Sequence, residues 1–156
     1  MKTWVLATTM AFVAVQAAAF DTAHLAKFKA LKQCEKCDLS GANFSASAEL
    51  VSSGIDLSGA NLNDSNLIGV NFSGANLSKA NLSNSDLSYA KLTMTNLSMA
   101  SLRNANLIKA NLSKANLLGA DLTEADLSTA ELKDAKIKNA ILRKTKMPWG
   151  EENTGC

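Results

Sequence analysis

The sequence predicts a solenoid of square coils, and three observations predict it. A large apolar residue recurs every five positions from Leu57 to Met147, nineteen times without a slip. Two residues before it stands a small side chain, alanine at 13 of the 19 positions. Between the two comes Asn or Asp, again at 13 of 19. A period of five matches neither the 3.6 of a helix nor the 2 of a strand, so one long element of either kind would carry its leucines round into water. A chain that turns a corner every five residues keeps them inside. The large and the small residue point inward, the other three face out, four pentads close a coil, and the next coil stacks on it. Small residues are needed because four large ones already fill the centre. The corner Asn or Asp bonds neighbouring backbone groups and stacks into a ladder.

The departures are few. Ile55, Ser65, Val70, Ser85, Thr95 and Thr145 replace alanine, while Lys91, Ser101, Glu131, Lys136, Ile141 and Lys146 replace the corner Asn or Asp. This A-(N/D)-L pattern resembles the pentapeptide-repeat family, and the resemblance covers residues 37–147. It implies an all-β fold, the right-handed quadrilateral β-helix of that family. The register breaks once, over residues 45–56. Cys37–Gly41 and Ala42–Ala46 are good pentads, but Phe44 and Leu57 are 13 residues apart, which is not a multiple of five. Ala48–Ser52 serves as an irregular third pentad, with Ser47 bulging before it and Ser53-Gly54 after it. Insertions in solenoids go to the surface, so this reads as a loop at a corner. The resulting 22 pentads make about five and a half coils, a stack roughly 26 Å tall at ~4.8 Å per coil.

Both ends carry their own signals. Met1 and Lys2 give a basic start, Trp4 to Val15 is apolar and uncharged, and Ala17-Ala18-Ala19 supplies small residues before Phe20. That is the pattern of a secretory signal over residues 1–19, cleaved to release a periplasmic or extracellular protein with no transmembrane segment in its mature chain. The apolar run is short for a bilayer, which makes an uncleaved anchor the lesser alternative. Residues 20–36 read as a capping helix and junction, with Asp21 or Thr22 as N-cap and Leu25, Phe28 and Leu31 on one stripe. At the other end residues 148–156 form a tail that opens with Pro148, which cannot donate to a further coil, and Trp149, able to cover the last leucine layer.

Material for catalysis is scarce. The chain has one histidine, 5% aromatic residues and a formal charge of +2, which argues against both an enzyme and a nucleic-acid binder. Cys34-Glu35-Lys36-Cys37 is a C-x-x-C, open to three readings: a redox pair, half of a zinc site, or a structural disulfide. A redox pair normally sits beside a βαβ unit, which is absent, and zinc would need His24 and Cys156 as its further ligands. Cys37 falls on the inward small position of its pentad, which favours the structural disulfide. Cys156 is left as a free thiol or an intermolecular partner. His24 has no acid or nucleophile spaced to work with it, and the serines that follow the leucines fit turns and lack a base. No catalytic residue, metal ligand set or cofactor is expected.

Function therefore falls to the outer faces, where residues twenty apart share a column. Ile68, Ser88 and Ile108 form one column and Gly69, Tyr89, Lys109 and Thr129 the next, so Ile68, Tyr89 and Ile108 make the candidate interaction patch. Met99 and Leu118 fall on the opposite side and Met94 on a third, as scattered apolar exposure. Lys133, Lys136, Lys138, Arg143, Lys144 and Lys146 give a basic end, read as solvated, with contact to an anionic lipid, a polysaccharide or an acidic partner as the alternative. These features point to a non-catalytic, exported interaction or scaffold module that binds a protein or another envelope component. The family supplies an alternative, a DNA-mimicking regulator of a type II topoisomerase, which needs an acidic surface that this chain lacks. An ice-binding face would need a ranked threonine array, and Thr93 and Thr123 lie on different columns.

Overall fold

The computed structural model describes Ala23 and residues 34–44 and 54–154. The segment read as a signal peptide, the body of the expected capping helix, the irregular third pentad and Cys156 lie outside these residues.

Each pentad builds the same corner. The carbonyl of the large residue accepts from the amide three residues on, as in Ala60 to Leu57 at 3.0 Å and Ala90 to Leu87 at 3.0 Å. The second residue after the leucine takes a positive φ, such as +65° at Gly59, which is the type II turn pattern. Glycine suits that conformation, yet fourteen described non-glycine residues adopt it, so the coil imposes it whatever the side chain. Thr129 is the exception. A β-branched side chain resists a left-handed backbone, and Thr129 stays out of it. The amide of Lys109 then donates to the Thr129 hydroxyl at 3.1 Å, where its counterpart Tyr89 donates to the Ile108 carbonyl at 3.0 Å.

Four corners close a coil and parallel bridges join each coil to the next. Paired residues are twenty apart along most of the chain, from Asp56 with Asn76 to Asp126 with Lys146. Four faces result. The first carries Leu57, Leu77, Leu97, Leu117 and Ile137; the second Leu39, Leu62, Leu82, Leu102, Leu122 and Leu142. The third carries Phe44, Leu67, Leu87, Leu107, Leu127 and Met147; the fourth Phe72, Leu92, Leu112 and Leu132. Nearly all of these side chains and the alanines beside them are buried. The polar substitutes at the small position are satisfied: Ser65 and Ser85 donate to the Leu62 and Leu82 carbonyls, Thr95 and Thr145 to those of Phe72 and Leu122. In the first coil the offset is 23, as between Asp38 and Asn61, so three extra residues sit in the stretch that the sequence showed to be irregular.

The ladder has a polarity. Most ladder asparagines use the oxygen to close their own corner and the amide to reach back one coil, as Asn96 does toward Ser98 at 3.2 Å and Asn76 at 3.1 Å; Asn111, whose neighbour one coil back is Lys91, donates forward to Glu131 at 2.8 Å instead. Aspartate only accepts, so it suits the N-terminal foot of a column. Asp38 and Asp56 receive Asn61 and Asn76 there, each at 3.1 Å.

Both ends differ from the sequence expectation. Coil bonding starts at Cys34, three residues before Cys37, with Cys34 donating to the Asp56 carbonyl and Lys36 to that of Ser58, each at 2.9 Å. Cys34 thus takes the place of a leucine on the first face, Cys37 the small position on the second, and a disulfide joins them. At the C-terminus strand β1 (Leu142–Met147) lies over residues 122–127 and turns through Pro148 and Trp149 into strand β2 (Gly150–Thr154), which runs back antiparallel. Within the segment read as a C-terminal tail, residues 150–154 form this strand. Trp149 does not cover the last leucine layer. It is 59% exposed and donates from Nε1 to Glu152 at 2.8 Å. Leu132 and Ile137, beyond the reach of the hairpin, stay only half-buried.

Two stability measurements check this packing. Leu107→Ala empties a fully buried site and is expected to cost roughly 2–5 kcal/mol in denaturant unfolding. Replacing Cys34 and Cys37 together by alanine removes a short cross-link and is expected to cost about 2 kcal/mol.

Candidate functional site

The disulfide decides the first candidate. Cys34 and Cys37 are bonded to each other and buried, which leaves neither as a zinc ligand. His24 and Cys156 lie outside the described residues. Among the described residues no group of three or more His, Cys, Asp or Glu is placed to hold a metal ion. A shallow cavity of about 300 Å³ opens beside the first coils, lined by Glu35, Lys36, Ser58, Gly59, Asn76, Ser78 and Lys79. Its carboxylate sits 3.5 Å from the Lys36 ammonium, so it is an ion-pair partner there and not a base beside a nucleophile.

The titrating groups that depart from ordinary behaviour belong to the ladder. Backbone donation from Ser58 is the main reason that the Asp56 carboxyl is held below its usual value, with its hydroxyl and the Asn76 amide assisting. At Asp121 burial works against the charge, but the Thr123 hydroxyl and amide and the Arg103 guanidinium outweigh it and lower the pKa. Asp126 repeats the pattern, burial being outweighed by Ser128 and the Lys146 ammonium. These shifts stabilise the stack; nothing in them prepares an acid or base for chemistry.

The outer surface is more informative. Ile68 is exposed, Ile108 half-buried, and the buried Ser88 stands between them in their column. Tyr89 is 56% exposed, with the Lys109 ammonium 5.0 Å from its ring centre and 3.2 Å from its hydroxyl. The structure adds a grouping that the column reading missed. Tyr89, Met94 and Met99 occupy three successive corners of one coil, at φ of 59°, 59° and 57°. The two methionines are 65% and 66% exposed and flank the first face from either side, with Asn96 between them. The amide of Met99 donates to the Leu118 carbonyl at 2.9 Å, and its Cγ lies 3.7 Å from where a Cβ on Gly119 would stand, so Met99, Leu118 and Gly119 adjoin. A comparison of corners five residues apart would have found this belt; columns twenty apart scatter it.

Of the basic end, Lys144 and Lys146 reach back to Glu124 at 3.5 Å and Asp126 at 3.1 Å. Lys133, Lys136 and Lys138 are exposed, and no described carboxylate pairs with them.

The repeat can now be compared with known proteins. The family model described as pentapeptide repeats (8 copies) matches over residues 53–88, 65–104, 80–119 and 110–147. The chain belongs to the pentapeptide-repeat family. Membership implies the right-handed sense of the coil. Similar solved structures include the pentapeptide-repeat protein Rfr23 from the cyanobacterium Cyanothece, 29% identical with a TM-score of 0.69, covering 76% of this chain and 92% of that one. They also include HetL, a pentapeptide-repeat protein involved in heterocyst differentiation regulation in the cyanobacterium Nostoc. It is 30% identical with a TM-score of 0.58, and the match covers 76% of this chain and 61% of HetL. No curated protein sequence matches the chain.

The lowered carboxyls make a pH prediction. A folded-state pKa below the unfolded one stabilises above the unfolded value of 3.8 and is lost as pH falls through the folded value. Asp121→Asn should therefore lower the thermal midpoint at neutral pH, and its difference from the parent should shrink as pH falls below 3.8.

Proposed function

We propose that this pentapeptide-repeat protein is a non-catalytic interaction or scaffold module acting outside the cytosol, in the periplasm or at the envelope, with Tyr89, Met94 and Met99 at its contact surface. The observation that carries the reading is that these three side chains each expose a large apolar group to water at a corner whose backbone the coil sets whatever the side chain. The exposed apolar group brings the fold no gain, and positions that violate local rules without a structural gain are where function is expected. Methionine is an adaptable contact residue because its unbranched thioether fits varied surfaces. The ladder asparagines and aspartates, by contrast, are engaged in closing corners and joining coils. Export draws support from the signal pattern of residues 1–19 and from the Cys34–Cys37 disulfide, which suits an oxidising compartment. The DNA-mimic alternative calls for an acidic surface, and the last coil presents Lys133, Lys136 and Lys138 instead.

A triple variant, Tyr89→Gly, Met94→Gly and Met99→Gly, tests the reading against periplasmic or envelope extracts from the native cells. The parent is expected to retain a specific protein that the variant loses. The unfolding free energy of the variant should be unchanged or higher by up to about 1 kcal/mol, since relief of the left-handed strain offsets the flexibility of glycine. Equal retention by both proteins would refute the assignment.

A further inference from the structure

The C-terminal end of the stack holds an unfinished edge. Along each face the amide of the large residue donates to the coil above, as Leu112 does to Glu131 and Leu117 to Lys136, each at 2.8 Å. The alanine carbonyls accept in return, Ala110 from Glu131 and Ala115 from Lys136, each at 2.9 Å. On the second and third faces β1 completes this pattern, with Leu122 donating to Ile141 and Leu127 to Lys146. On the fourth and first faces it stops. Among the described residues the amides of Leu132 and Ile137 donate to nothing, and the carbonyls of Ala130 and Ala135 receive nothing. The register would bring Glu151 to Leu132, but the hairpin has taken Glu151 into β2 opposite Lys146.

Two further properties say what would fit there. Leu132, Ala135 and Ile137 are half-buried, whereas their equivalents in the coils below are buried, so the edge is apolar on its inner side. Outside it stand Lys133, Lys136 and Lys138, exposed and without a described carboxylate partner. Lys136 replaces the asparagine that continues this column from Asn116. Two acids share the coil: Glu131, which accepts from Asn111 at 2.8 Å, and the exposed Asp134. On the first face, over residues 135–139, the charge is positive alone.

We propose that this edge is a docking site for an extended acidic segment of another protein, which adds a parallel strand to the last coil. One of its residues donates to Ala135 and accepts from Ile137, as Lys136 does between Ala115 and Leu117 in the coil below. Apolar side chains on its inner side cover Ile137 and Leu132, and carboxylates on its outer side meet Lys136 and Lys138. A main-chain ladder supplies affinity in strand addition while the side-chain pattern selects the partner. A second copy of this chain is the weaker occupant, since end-to-end stacking would bring two sets of unpaired lysines together. The site lies on the end of the stack and stands whether or not the Tyr89–Met99 belt binds anything.

The test uses the full chain and three fluorescent ten-residue peptides: alternating Glu–Val, alternating Lys–Val, and Glu–Val N-methylated at alternate residues. The Glu–Val peptide is expected to bind at least about tenfold more tightly than Lys–Val in anisotropy titrations, a difference of about 1.4 kcal/mol. N-methylation should abolish binding, and the double variant Lys136→Glu, Lys138→Glu should weaken it by about tenfold with an unchanged thermal midpoint. Absence of Glu–Val binding, or binding that survives N-methylation, would overturn the proposal. So would sedimentation showing that the chain self-associates and that the dimer excludes the peptide, which would assign the edge to a second copy.

Discussion

Everything in this molecule depends on the registration of one coil on the next. Parallel bridges between residues twenty apart place large inward residues over large ones and small over small, and they give the amide and carbonyl groups of the inward residues their partners in the same step. Burial and hydrogen bonding are therefore not separable here. A residue that leaves its layer uncovers apolar area and also orphans backbone groups above and below. The near absence of aromatic residues follows from the same constraint, because a coil of four large inward residues has space for leucine but little for a ring. Phe44 and Phe72 are the described aromatic residues of the core.

The polarity of the ladder extends this to the surface. Because most ladder asparagines reach back toward the N-terminal coil, an aspartate is satisfied wherever an asparagine follows it in the column, as Asp86 is by Asn106 at 3.2 Å, and needs a donor from elsewhere where none does. Asp121 and Asp126 have theirs in Arg103 at 3.0 Å and Lys146 at 3.1 Å. Charged residues near the C-terminal end are thus in part structural, standing where asparagine amides stand in earlier coils. Lys133, Lys136 and Lys138 have no such task, and that separation of used from unused charge distinguishes the open edge from the rest of the basic end.

Much of this was legible in the sequence, since the period of five carries the architecture directly. The inward residues, the corner asparagines and the register break before Leu57 could be placed from spacing alone. The ends could not. Sequence reasoning started the coil at Cys37 because Cys34 is a poor likeness of leucine, and only its bond to the Asp56 carbonyl shows that it fills a leucine's place. Pro148 marked an end correctly in that it cannot continue a ladder, but it sits in a hairpin turn, and nothing in Gly150–Thr154 announces a returning strand. The methionine belt was missed for a geometric reason. Columns record what stacks along the axis, whereas Tyr89, Met94 and Met99 are neighbours around it.

Residue-resolved amide hydrogen exchange tests the stacked register most directly. If the coils are joined as described, the amides of the leucine and ladder positions from Leu57 to Leu127 that donate to a neighbouring coil exchange slowly and as a cooperative block. Those of Leu132 and Ile137 exchange fast although they continue the same sequence pattern. Protection that extended through Leu132 and Ile137, or that followed position along the chain without regard to the pentad, would contradict the structure.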